Sequence, residues 1–351
     1  MVEQSKWLFQ QATIDMKSQI ASSYHNRRGY YKFEGIGYGE SNHHDDYNNN
    51  NQDDDSIEAF LIGNERASQL KSEYFQARGI PKKVWSQYSD CQFNQWPSST
   101  INNNNNSGFQ RVHSKNSINN NDNDQQSTLM NNRDQLFKST ILKYFDQCSS
   151  ISLSIVQLIS MSLGYKKNDL DHLFSKNDHT LELKHYPPLK SILSQQEQQP
   201  QRQYIRMNEH KDLSCLTLLL QNKRVDGLEL YDNDSNTWIP APLIDDCFLV
   251  NTGDIIEKLT EGVFPSTLHR VVNNPSTSTQ SRYSAAFFYV PNWEKSIDPL
   301  SSLSTNNNNN NNNNENQDNI KKKIHSVLGL PITSSPIDHS ERFTKKTLGQ
   351  R

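Results

Sequence analysis

The feature that most limits the fold of this chain is a change of grammar after Leu181. From there to Pro291 it runs as eight short segments rich in β-branched, aromatic and leucine residues: LELKHYP, QYIRM, LTLLLQ, GLELYD, TWIPAP, FLVNTG, STLHRVV and RYSAAFFYVP. Gly, Asn, Asp and Pro punctuate them at the spacing of an all-β sandwich or jelly roll. The front half reads differently. Leu136, Phe137, Ile141, Tyr144, Phe145 and Cys148 recur at helical spacing, and Ile155, Leu158 and Ile159 continue them. They predict a long helix over 134–163 that ends at Gly164, with Met161 in the core. A second helix is expected over 6–22. A helical front half followed by a β-rich core places the chain in the α+β class.

Composition narrows the function. The net charge is −3 over 351 residues, and Lys321–Lys323 is too short to form the basic stripe that nucleic acid requires. No apolar run reaches the roughly 18–20 residues of a membrane span. The N-terminal stretch mixes charge through its apolar positions, which excludes a secretory signal. Cys91, Cys148, Cys215 and Cys247 are scattered without a CxxC pair, as suits a reducing compartment. The expectation is a soluble, cytoplasmic monomer that binds neither nucleic acid nor membrane.

The mean hydropathy of −0.87 is distorted by three polar tracts. They are NHHDDYNNNNQDDD from Asn42, an Asn/Gln-rich stretch over about 102–128, and the Asn run 306–314. Such composition cannot bury enough apolar surface to offset its ordering entropy, so these tracts are expected to be loop insertions outside the fold. The resulting division is a partial helical region over 1–175 carrying insertions at about 42–55 and 102–128, a β-core over 180–295, and an Asn-rich loop with a helical tail over 296–351.

Chemistry concentrates in the β-core. His210 and Asp212 stand two apart immediately before CLTLLLQ, and alternate residues of an extended strand point the same way. A mononuclear iron(II) site needs two histidines and one carboxylate on one face, with other positions left open. His269, in the apolar-flanked STLHRVV, is the matching third ligand. His43-His44-Asp45-Asp46 and His339-Ser340-Glu341 offer similar patterns, but within polar tracts that read as solvated surface. Arg282 and Ser284 share one strand face leading into AAFFYVP. Together they can clamp a carboxylate through charge-assisted hydrogen bonds, and Tyr186 in LKHYPPL can add a phenolic hydroxyl.

His-x-Asp, a distant His and then Arg-x-Ser, with GLEL, Trp238, FLVNTGDIIEKLTEG and LHRVV around them, closely resemble the iron/ascorbate-dependent oxidoreductases. These are the branch of the 2-oxoglutarate and Fe(II)-dependent dioxygenases that includes isopenicillin N synthase and anthocyanidin synthase. The resemblance is close over residues 181–291. It is looser upstream, through NRRGYYKFEG, EAFLIGNE and NQWP. It implies a double-stranded β-helix with Fe(II) on His210, Asp212 and His269. It also implies 2-oxoglutarate chelated to the metal, its far carboxylate held by Arg282, Ser284 and Tyr186. O₂ and a small organic substrate would be the other partners, with ascorbate as reductant. Oxidative decarboxylation of 2-oxoglutarate would release succinate and CO₂ and drive hydroxylation, desaturation or ring closure of the substrate.

The chain departs from the family pattern in three ways. It begins after the usual opening strand, as either a truncated start or a short form without that edge strand would. Lys184 replaces a common asparagine, and the spacing from His269 to Arg282 is slightly longer. Two alternatives stay open: an isopenicillin N synthase-like oxidase whose clamp holds the substrate's own carboxylate, and a catalytically inactive relative acting as a binding module.

Overall fold

The computed structural model describes residues 1–23, 28–33, 57–65, 94–98, 120–188, 204–273, 279–292 and 297–300, with residues 77, 79 and 295. The tract at 42–55, the Asn run 306–314 and the tail beyond residue 300 lie outside them.

Among the described residues, ten strands form two antiparallel sheets. In chain order they are β1 (Gly29–Phe33), β2 (Ile57–Ile62), β3 (Thr180–Tyr186), β4 (Tyr204–His210), β5 (Leu216–Gln221), β6 (Leu228–Asp232), β7 (Thr237–Pro240), β8 (Leu249–Thr252), β9 (His269–Asn273) and β10 (Arg282–Tyr289). The major sheet runs β1-β2-β3-β10-β5-β8 and the minor one β4-β9-β6-β7. From β3 onward the chain alternates between the two sheets, the β6–β7 hairpin excepted. This is jelly-roll winding, and each of the eight β-rich segments expected from the sequence supplies one strand.

The central strands are buried on both faces, which period-2 alternation makes possible. On β10, Tyr283, Ala285, Phe287 and Tyr289 join the core between the major sheet and the helices. Their alternates Arg282, Ser284, Ala286 and Phe288 line a cavity between the sheets. β3 follows the same rule, with Leu181 and Leu183 in the helix-side core and Lys184 and Tyr186 on the cavity.

The long helix α3 (Asn120–Ser162) packs on the back of the major sheet, where Phe145 meets Phe287 edge-on at 5.1 Å. Its buried stripe is Phe137, Ile141, Phe145, Cys148, Ser152, Val156 and Ile159, spaced three or four apart as an amphipathic helix demands. Leu136, Leu158 and Met161 fall off this stripe and are exposed, so Met161 is not a core residue. Gly164, at φ 84°, terminates the helix. The helix begins earlier than expected. Residues 120–127, excluded from the fold on composition, form its first turns, because an existing helix propagates far more readily than one nucleates.

The expected single helix over 6–22 is broken. α1 (Val2–Lys6) passes into a π-helical turn (Trp7–Gln11), Ala12 is extended, and α2 (Ile14–Gln19) restarts with the Thr13 hydroxyl accepting from Met16 N. Trp7, Leu8 and Phe9 are all buried, and the wider turn lets three consecutive side chains enter the core. A further short helix, α4 (Asp254–Leu259), follows β8.

Candidate metal centre

His210 and His269 face each other as a register pair on β4 and β9, with ring centroids 4.3 Å apart. Asp212 lies two residues past the end of β4, on the same side as His210. One ligating atom from each of the three residues falls within 4.8 Å of the others. Asp212 Oδ1 is 3.7 Å from Nε2 of both histidines.

The outward atoms are all engaged. His210 Nδ1 is 2.8 Å from Asn208 O, and His269 Nδ1 is 3.0 Å from Thr267 O. A carbonyl only accepts, so each Nδ1 carries the proton and each Nε2 offers its lone pair to the centre. Asp212 Oδ2 accepts from Thr217 Oγ1 at 2.7 Å and from Asn251 Nδ2 at 2.9 Å, which leaves Oδ1 as the inward atom. Burial and the neighbouring His269 pull the His210 pKa down to about 4, so its ring is neutral at physiological pH. Burial alone would raise the Asp212 carboxyl, but His269, Asn251, Thr217 and His210 hold it below its ordinary value. Two imidazole nitrogens and one carboxylate oxygen fit a mononuclear divalent iron.

The turn that carries Asp212 is fixed from behind. Asp254 N donates to Asp212 O at 2.8 Å and Gly253 N to Cys215 O at 3.0 Å. A Cβ on Gly253 would stand 2.3 Å from Ser214 O and 2.6 Å from Asp212 O, so only glycine permits this approach. Lys211, between the two ligand positions, is tied to the buried Glu257 at 3.1 Å.

The other end of the cavity holds a cation. Arg282 is the register partner of Tyr186 across β10 and β3, and its guanidinium carbon lies 4.8 Å from the Tyr186 ring centroid. Its Nη2 donates to Gln221 Oε1 at 2.8 Å, while the buried Nε and Nη1 have no hydrogen-bond partner among the described residues. An unengaged pair of guanidinium nitrogens in a buried wall suits a carboxylate. Ser284, opposite both Lys184 and Gln221, lines the same cavity two residues along. The cavity therefore brings together all six expected residues, while Leu219, Leu228, Leu230, Leu249, Val271 and Phe288 make its walls apolar.

Sequence reasoning missed Thr217 and Asn251, a register pair on β5 and β8. The signal for Thr217 was its position as the one hydroxyl inside an otherwise leucine-rich strand. Lys184 also faces the cavity, ion-paired with the buried Glu182 at 2.7 Å.

Residues 177–291 match the 2OG-Fe(II) oxygenase superfamily. The chain is 32% identical over 171 residues to the 2-oxoglutarate-dependent dioxygenase tropC of Talaromyces stipitatus, covering 48% of this chain and 49% of that protein. It is 34% identical over 167 residues to gibberellin 20 oxidase 4 of Arabidopsis thaliana, covering 48% and 40%. The chain thus spans about half the length of the curated relatives it matches. Among solved structures, a full-length Neurospora crassa protein in complex with alpha-KG and 5-formyluracil shares the fold. The TM-score is 0.58 at 21% identity, covering 93% of this chain and 80% of that one. The segment that matches the 2OG-Fe(II) oxygenase superfamily, residues 177–291, contains all six site residues.

Proposed function

We propose that the protein is a non-haem Fe(II) oxygenase that uses 2-oxoglutarate and O₂ to oxidise a small organic metabolite. One observation carries this reading. A single cavity holds a two-histidine, one-aspartate donor set at one end and a guanidinium with two unengaged nitrogens at the other. The oxidase activities named for the relatives support it. His210, Asp212 and His269 would hold the iron, and Arg282, Ser284 and Tyr186 the far carboxylate of 2-oxoglutarate.

Iron bound there supplies O₂ activation coupled to the conversion of 2-oxoglutarate to succinate and CO₂. The chain's own groups do the rest. Thr217 and Asn251 pin Asp212 Oδ2 so that a single carboxylate oxygen is presented, and the two backbone carbonyls fix the histidine tautomers. Arg282 gives the co-substrate one orientation, and the leucine-rich walls keep water from the reacting face. Hydroxylation, desaturation or ring closure of the substrate would follow, with ascorbate keeping the iron reduced.

The test is anaerobic titration of the Fe(II) protein with 2-oxoglutarate, followed by the visible charge-transfer band of the chelate. Succinate release is then measured on admitting O₂ with ascorbate. The band is expected in the wild type and lost in Arg282→Ala, with iron retained. Iron binding without a band at millimolar 2-oxoglutarate would assign the clamp to the substrate's own carboxylate. Failure to take up iron would leave a binding module.

A further inference from the structure

The two strand ends that carry the clamp are built on both faces. Tyr186 and Arg282 face the cavity as register partners, while their chain neighbours His185 and Ser281 meet on the opposite side. There the His185 ring stacks on Tyr283, with centroids 4.7 Å apart and planes 9° from parallel, and on Phe9 at 5.7 Å. His185 Nδ1 is 2.7 Å from Glu58 Oε2, and its Nε2 is 3.1 Å from Ser281 Oγ. Glu58 Oε1 also accepts from Lys17 Nζ at 2.9 Å and from the Tyr30 hydroxyl at 2.5 Å. Burial would push the Glu58 carboxyl up, but His185, Lys17 and Tyr30 hold it down at about 2, so it stays ionised.

Arg282 opens the β10 ladder and Tyr186 closes that of β3, so the clamp sits where strands ordinarily fray. The contacts behind it prevent that. Besides His185, Ser281 is held through its carbonyl, which accepts from Asn222 Nδ2 at 3.2 Å, and Asn222 Oδ1 accepts from Tyr283 N at 2.9 Å. One connected set of contacts thus ties α2, β1, β2 and β3 to the residue that leads into Arg282.

We infer that Glu58, His185 and Ser281 form a positioning network that fixes the carboxylate clamp from the far side of the sheet, an inference that rests on the 2-oxoglutarate reading above. A serine, a histidine and a carboxylate in this order also occur in nucleophilic catalysis. Here the carboxylate is shared with Lys17 and Tyr30, His185 is only 5% exposed, and the cavity opens on the other face. The network orients and does not react.

The experiment compares wild type, Ser281→Ala, His185→Phe, His185→Asn and Arg282→Ala as full-length Fe(II) proteins. His185→Phe keeps the aromatic stack and removes both polar atoms. His185→Asn restores a donor towards Glu58. Each is measured for thermal midpoint, Fe(II) affinity and 2-oxoglutarate Kd by the chelate band. His185→Phe should raise the 2-oxoglutarate Kd on the order of 10-fold, as loss of an outer supporting contact does. Ser281→Ala should raise it roughly 3-fold. His185→Asn should recover part of the loss, and Fe(II) affinity should stay at the wild-type value throughout. If Ser281→Ala and His185→Phe lower the thermal midpoint but keep the wild-type 2-oxoglutarate Kd, the network only braces the fold and the inference is overturned. If Arg282→Ala binds 2-oxoglutarate as wild type does, the clamp reading itself fails, and this inference with it.

Discussion

The two ends of the cavity are finished to different degrees. At the metal end, both histidine Nδ1 atoms and the outer oxygen of Asp212 are bonded, so the inward atoms are aimed before anything arrives. At the clamp end, Arg282 is buried, yet two of its nitrogens have no partner among the described residues. A buried cation left part-satisfied costs stability. The metal end is thus preorganised by its neighbours, while the clamp end holds unmet hydrogen-bonding capacity that an anion would fill. The difference separates a donor set whose inward atoms are already aimed from a guanidinium whose capacity is still open.

The sharpest way to break this contrast is at the ligands. Asp212→Ala should abolish iron uptake in equilibrium dialysis, while His43→Ala and His44→Ala leave it unchanged. Equal retention in all three would remove the metal end from the comparison.

Next comes Arg282. Losing a buried charge-assisted contact costs on the order of 2–5 kcal/mol, so Arg282→Ala should weaken 2-oxoglutarate binding roughly 30-fold to several thousand-fold. Arg282→Lys keeps the charge without the fork and should fall between the two. Arg282→Met should give a ligand-free protein at least as stable as wild type in urea, because it removes the unpaired donors. A less stable Arg282→Met protein would show that the guanidinium is already satisfied.

The support behind the clamp carries a pH signature. Glu58 is held at about 2 against an ordinary 4.5, so its stabilising contribution is complete above about 4.5 and is lost as pH falls through 2. That contribution is at most about 3 kcal/mol. Wild type should exceed Glu58→Gln in urea midpoint near neutrality, and the gap should close between pH 4.5 and 2. A gap that stays constant across that window would remove the ionised carboxylate from the account. A smaller effect is expected from Thr217→Val, which frees one of two bonds to Asp212 Oδ2. Iron affinity should drop about 10-fold, with the 2-oxoglutarate Kd of the fully loaded protein little changed.

Much of this architecture was legible from local pattern. The eight strands announced themselves because short β-rich runs were separated by turn residues, and the HKD and RYS motifs place their outer residues on one side of an extended chain. What escaped was set by packing or by distance. The break at Ala12 follows from burying Trp7, Leu8 and Phe9 together, which helical periodicity does not foresee. Met161 shares the polarity of the core stripe but lies off its angle on α3. The donors to Asp212 and the pairing of Glu58 with His185 depend on strand register across as many as 127 residues, which no local pattern encodes.

β10 lies between β3 and β5, and Ser284 to Phe288 have ladder partners on both sides. Amides in such a position exchange with solvent only through the largest openings of a protein, not through edge fluctuations. The minor sheet is looser, with register shifts between β4 and β9 on either side of Met207. In deuterium exchange, protection should therefore persist longest on the strand that bears Arg282 and Ser284, and decay first where β4 leads to His210. Breathing of the two sheets then reaches His210 long before it reaches the strand that carries Arg282 and Ser284.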